Sequence, residues 1–152
     1  MRTIIIVFLV FVSSAKGQNY KPVNEAEAVK FTIENIGFDV NGSFAGLNGN
    51  IAFDVKNLGT ASFDVTVDAS TVNTKNSTRD KHLRGTDYFA VQTYPEIRIT
   101  SVKIAKSVTP GYYVFFGKLS IKGTSKDISF PFTASAEAGA YRFKGEFNIK
   151  RR

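Results

Sequence analysis

The chain contains no cysteine, no tryptophan, one histidine and one methionine in 152 residues. The missing thiols exclude disulfides, cysteine nucleophiles and thiolate metal sites. The lone His82 has only Asp80 and Asp87 close to it in sequence, too few ligands for a metal centre. No nucleophile elbow accompanies it, so there is no Ser-His-Asp context. The glycine-rich stretch 42–49 lacks the lysine and the strand-to-helix setting of a phosphate loop. No acid, base or nucleophile constellation is left. The expectation is a binding protein, not an enzyme, with no catalytic residues, no metal and no cofactor.

A basic stripe is missing as well. The formal charge is +7, from 20 Lys and Arg against 13 Asp and Glu, but only Lys150-Arg151-Arg152 concentrates it. Without a recognisable module, nucleic acid is not an expected partner. The longest apolar run, Ile4 to Val12, is nine residues, against the roughly twenty that a membrane-spanning helix needs. Arg2 precedes that run, and the small residues Ser13, Ser14, Ala15 and Gly17 follow it. This is the pattern of a secretory signal peptide over residues 1–17, with cleavage expected before Gln18. A buried N-terminal strand is the competing reading. The rest, residues 18–152 with a charge of +5, makes one domain long enough to bury a core. It has no membrane span after cleavage and is expected in the periplasm or secreted.

What the chain does have is period-two alternation. Val29, Phe31 and Ile33 share a face, as do Ile51, Phe53 and Val55, and Phe63, Val65, Val67 and Ala69. Ile128 to Ala136 and Tyr141 to Ile149 repeat the pattern. Between Ile97 and Lys106 the apolar parity switches from Ile97 and Ile99 to Val102 and Ile104, which predicts a bulge near Ser101. Turns are expected at Asn41-Gly42, Asn48-Gly49-Asn50, Leu58-Gly59-Thr60, Pro110-Gly111, Gly123-Thr124 and Ala138-Gly139. A helical period persists only from Ser77 to Gly85. Seven or eight antiparallel strands on short turns predict an all-β barrel or sandwich.

The inward set mixes large rings with missing side chains. Phe31, Phe53, Phe63, Phe115, Phe130, Phe132, Phe143 and Phe147 face Gly117, Gly145, Ala134 and Ala136. Such a set either lines a tunnel for a long apolar molecule, together with Val65, or packs phenyl rings onto glycines as an ordinary core. An eight-stranded barrel is compatible with both. A small outer-membrane barrel is the other alternative. It reverses the alternation, and neither the helical insert nor the lack of interfacial tryptophan suits it.

The most distinctive segment is Thr78 to Ile99, TRDKHLRGTDYFAVQTYPEIRI. Its Arg79-Asp80-Lys81-His82-Leu83 turn, Tyr88-Phe89 pair and Tyr94-Pro95-Glu96-Ile97 step follow Phe31-Thr32-Ile33, Gly42-Ser43-Phe44 and Phe53-Asp54. They precede Gly117-Lys118-Leu119-Ser120-Ile121-Lys122-Gly123-Thr124. In this combination the chain resembles the YceI-like family, the polyisoprenoid-binding proteins of the bacterial periplasm. The resemblance implies an extended, lipocalin-like antiparallel β-barrel of about eight strands, carrying a short helix near residues 77–85. It also implies an apolar tunnel that holds a polyisoprenoid or related long-chain lipid, for binding or carriage. Monomer and homodimer both stay open. Family members continue beyond the strand that ends near Arg152; either this chain is a fragment, or the closing strand is absent and an open seam lies beside the first strand. Arg79 and His82, three residues apart, share a helical face. They either meet a lipid head group, or Arg79 and Asp80 pin the helix to the barrel rim.

Overall fold

The computed structural model describes residues 2–12, 19–35 and 37–149. In chain order the strands are β1 (Arg2–Val12), β2 (Asn19–Pro22), β3 (Val29–Asn35), β4 (Phe38–Ala52) and β5 (Ser62–Asn73). A short helix, α1 (Ser77–Arg84), follows, and then β6 (Glu96–Lys106), β7 (Tyr112–Ile121), β8 (Thr124–Glu137) and β9 (Ala140–Ile149). All the pairings are antiparallel, and each strand from β3 to β8 pairs with the next.

The sheet closes on itself through β1. That strand pairs with β9 from Arg2↔Ile149 to Phe11↔Ala140, and with β3 from Arg2↔Ile33 to Ile6↔Val29. Further along, its end pairs with β2 at Val10↔Pro22 and Val12↔Tyr20. The short strands β2 and β3 therefore lie end to end in one lane between β1 and β4, interrupted by residues 23–28. Nine strands among the described residues thus make eight lanes, seven of them in the part where the alternation predicts seven or eight and one supplied by β1. The seam expected beside the first strand of the domain is occupied by β1, built from the same apolar run that reads as a leader.

Alternation decides what faces inward. Phe31, Phe53, Phe63, Val65, Val67, Phe115, Phe130, Phe132, Phe143 and Phe147 are all buried in one core cluster. This sense, apolar inside and charged outside, is the reverse of an outer-membrane barrel. No helix among the described residues is long and apolar enough to cross a membrane.

The structure departs from several local expectations. The predicted turns at Asn41-Gly42 and Asn48-Gly49-Asn50 lie inside the long strand β4. Gly42 sits opposite Phe31, and a Cβ there would come within 2.3 Å of that ring. Gly49 has φ of +132°, and a Cβ would lie 2.0 Å from the Asp64 carbonyl oxygen. Both glycines admit a close approach instead of reversing the chain. The bulge near Ser101 is present, as a register shift between Ser101 and Lys103. Its extra residue, Val102, points outward with Ile104 buried. Val55 falls beyond the end of β4, and Ala136 beyond the buried part of β8; both are exposed.

Candidate functional site: the barrel interior and its rim

All nine residues expected to line a tunnel (Phe31, Phe53, Phe63, Val65, Phe115, Phe130, Phe132, Phe143 and Phe147) face the interior and are buried there. They face one another as well. Phe53 lies edge-on to Phe63, Tyr113, Phe132, Tyr141 and Phe143, with ring centroids 5.1–6.3 Å apart. Phe115 and Phe147 stack on the two sides of Phe130 at 4.9 Å. These are favourable quadrupolar geometries.

The glycine gaps are filled by rings. A Cβ at Gly117 would sit 2.6 Å from the Phe115 ring, and one at Gly145 would sit 2.8 Å from the Phe130 ring. Among the described residues, two small apolar voids lie between these side chains. One, of about 30 Å3, lies among Val29, Phe44, Leu47, Val65, Val67, Ile97, Ile99, Leu119 and Phe147. The other, of about 10 Å3, lies among Phe63, Ile99, Phe115, Phe130, Phe132 and Phe143. Spaces of this size hold a water or two. Neither void holds a long lipid chain unless the rings around it part.

The larger void is walled mostly by residues outside the expected tunnel set, chiefly Phe44, Leu47, Ile97, Ile99 and Leu119. The alternation already placed Ile97 and Ile99 inward. Phe44 carried a weaker signal, because it follows the Asn-Gly pair read as a turn.

The insert after β5 stops one end of the barrel. Asn76 caps α1 by accepting from the Arg79 N–H at 3.0 Å. Asp80 is buried and accepts from the Thr74 backbone N–H at 2.9 Å and its hydroxyl at 2.6 Å. Arg79 folds back on the same residue, donating from Nε to Thr74 Oγ1 at 2.8 Å and from Nη2 to the Thr74 carbonyl at 3.0 Å. Arg84, which the sequence did not single out, donates to the carbonyls of Ser70 and Val72 on β5. The Arg-Asp pair thus pins the helix to the rim. Leu83, Phe89 and Val91 join the core below it, with Phe89 edge-on to Phe44 at 5.4 Å.

A polar cleft of about 470 Å3 opens beside Arg79, lined among others by Glu27, Lys30, Asp39, Asn73 and Lys75. His82 is exposed and does not line it. No group of three or more metal-binding side chains occurs among the described residues.

A YceI-like domain matches residues 20–152. A UPF0312 protein of Photorhabdus laumondii is 34% identical over 120 residues, covering 76% of this chain. The chain spans 61% of that relative's length. A UPF0312 protein of Yersinia enterocolitica is 30% identical over 146 residues, covering 90% of this chain and 75% of the relative. Among solved structures, a Campylobacter jejuni YCEI protein matches at 32% identity with a TM-score of 0.58, over 68% of this chain and 61% of that one. Burkholderia cenocepacia BcnA shares the fold at 15% identity, with a TM-score of 0.65 over 95% of this chain and 94% of its own. The motifs, the antiparallel barrel and the match over residues 20–152 agree, and the chain belongs to the YceI-like family.

Proposed function

We propose that this protein is exported and holds a polyisoprenoid or similar long-chain lipid inside its barrel. The observation that carries the reading is the composition of the interior wall, where every lane from β3 to β9 contributes apolar side chains to one continuous cluster. Burying a lipid chain there gains roughly 25 cal/mol per Å2 of apolar surface. Because the rings touch one another, the guest must take the place of ring–ring contacts, and the void behind Phe44 and Leu47 is where they separate with least loss. Arg79 offers the guest's head group what its bonds to Thr74 leave free, beside Lys75 in the rim cleft. His82 would reach a head group only from outside that cleft.

The match to the family domain begins at residue 20, after the proposed leader. The leader and β1 are two uses of one segment. Intact-mass measurement of protein recovered from an expressing bacterium separates them: a chain starting at Gln18 supports export, and a chain retaining Arg2–Val12 refutes cleavage.

Solvent extraction and mass spectrometry of the purified protein test the ligand. A co-purifying polyprenyl or other long-chain lipid is the expected result. Protein that carries none, and takes up none when incubated with a polyprenyl phosphate, would refute the reading. The meshing of rings around Phe53 favours a second reading, a barrel whose core is structural and takes no guest, and that negative result would establish it.

A further inference from the structure

One hairpin carries a feature that guest binding does not use. From Ile97 to Lys126 the sequence has no Asp or Glu but six cations: Arg98, Lys103, Lys106, Lys118, Lys122 and Lys126. Arg98 pairs with Asp64 and Lys118 with Asp127. Lys103 and Lys106 make no ion pair among the described residues. The outer face beside these two lysines is apolar. Ala105, Val114 and Pro131 form one row across β6, β7 and β8, and Lys103, Phe116 and Ser129 form the next. Val102, thrown outward by the bulge, is 76% exposed; Val108 at the hairpin tip is fully exposed, and Phe116 and Tyr112 are 40% and 43% exposed. Among the described residues, these large apolar groups stand exposed together at one end of the hairpin.

We propose that the outer face of the β6–β7 hairpin docks on an anionic lipid surface. Exposed apolar patches rimmed by polar groups mark interaction sites. Here the patch combines three elements that suit a bilayer interface. Val108 and Phe116 can enter the acyl boundary, Tyr112 suits the head-group level, and Lys103 and Lys106, which make no ion pair among the described residues, meet anionic head groups. A protein partner would need complementary acidic and apolar groups of fixed shape, whereas a bilayer needs only this amphipathic edge. Docking is independent of what the barrel holds.

The test is co-sedimentation of the full chain with vesicles of phosphatidylcholine alone, and with vesicles containing a quarter phosphatidylglycerol. Binding is expected to the anionic vesicles and to weaken in high salt. The double variant Lys103→Gln/Lys106→Gln should lose roughly tenfold or more in affinity, since each lysine near such a surface contributes on the order of a fivefold factor. Val108→Ser/Phe116→Ser should lose affinity in high salt, where the apolar term is left. Because these side chains are exposed, circular dichroism should show both variants folded. Equal sedimentation of the wild type and both variants, or no binding of the wild type to anionic vesicles, would overturn the proposal. So would an oligomer that dissociates in Val108→Ser/Phe116→Ser with vesicle binding unchanged, which would assign the face to a second copy of the chain.

Discussion

Truncating Phe53 to alanine asks whether the barrel interior is a packed core or a wall facing space. Phe53 is 1% exposed and has five aromatic neighbours. Phe→Ala changes in tight cores cost about 3–5 kcal/mol, through lost transfer energy plus the cavity left behind. Edge-to-face pairs add roughly 0.5–1.5 kcal/mol each beyond burial, though five pairs that share one ring do not sum independently. The upper half of the range, about 4 kcal/mol, is therefore the expectation. In a domain of this size that lowers Tm by roughly 10 °C. Equilibrium denaturation in urea measures it directly. With no tryptophan in the chain, tyrosine fluorescence and far-ultraviolet circular dichroism are the signals. A residue that only lines an open tunnel has few neighbours to lose when the protein is free of lipid. A loss below about 1 kcal/mol, well under the range for a packed ring, would refute the reasoning and restore the hollow barrel.

Three further outcomes follow from the geometry. Gly145→Ala places a methyl 2.8 Å from the Phe130 ring and 3.1 Å from the Phe132 Cβ, and should cost about 1–3 kcal/mol by overpacking, read as a shift in urea midpoint at unchanged slope. Asp80→Ala strands the buried Thr74 N–H and hydroxyl, and should cost roughly 2 kcal/mol or more; hydrogen exchange should show α1 opening before the strands do. The Arg98 guanidinium, bonded to both oxygens of Asp64, holds that carboxyl below its ordinary range. Its stabilisation is present above about pH 4 and fades as the pH falls. Both groups are half-exposed, so solvent screening keeps the effect small. Melting curves of Asp64→Asn and wild type should differ slightly at neutral pH and converge in acid.

Much of this was legible in the sequence because alternation is a strong signal wherever one face is buried. Phe63 to Ala69 and Tyr141 to Ile149 could have only one inward face, and they have it. The parity switch at Ser101 revealed the bulge without any tertiary information. Glycine misled where it served packing: Asn41-Gly42 and Asn48-Gly49-Asn50 look like reversals, yet they let Phe31 and the Asp64 backbone come close to β4. The Arg79-Asp80 pair admitted two roles, and only Thr74 (one residue past the end of β5, and silent in sequence) shows how the pinning is made. Whether rings face a guest or one another is not encoded by period two, which reports the side a residue faces and nothing about the distance across. Gly117 and Gly145 suited either outcome until the rings above them were placed.

The broken lane of β2 and β3 has a mechanical consequence. Opposite the break, the β4 backbone is held by side chains instead of by a neighbouring strand. Asn24 Oδ1 accepts from the N–H groups of Gly46 and Leu47, and Thr71 Oγ1 accepts from that of Ala45. The regular β4–β5 register lapses over the same residues. A barrel stave held in this way can swing aside without unzipping the ladders above and below it, and Leu47 and Phe44 directly behind it border the larger void. For the lipid proposed above, this stretch of wall with its lapsed register is the proposed way in, sideways between α1 and the aromatic cluster around Phe53.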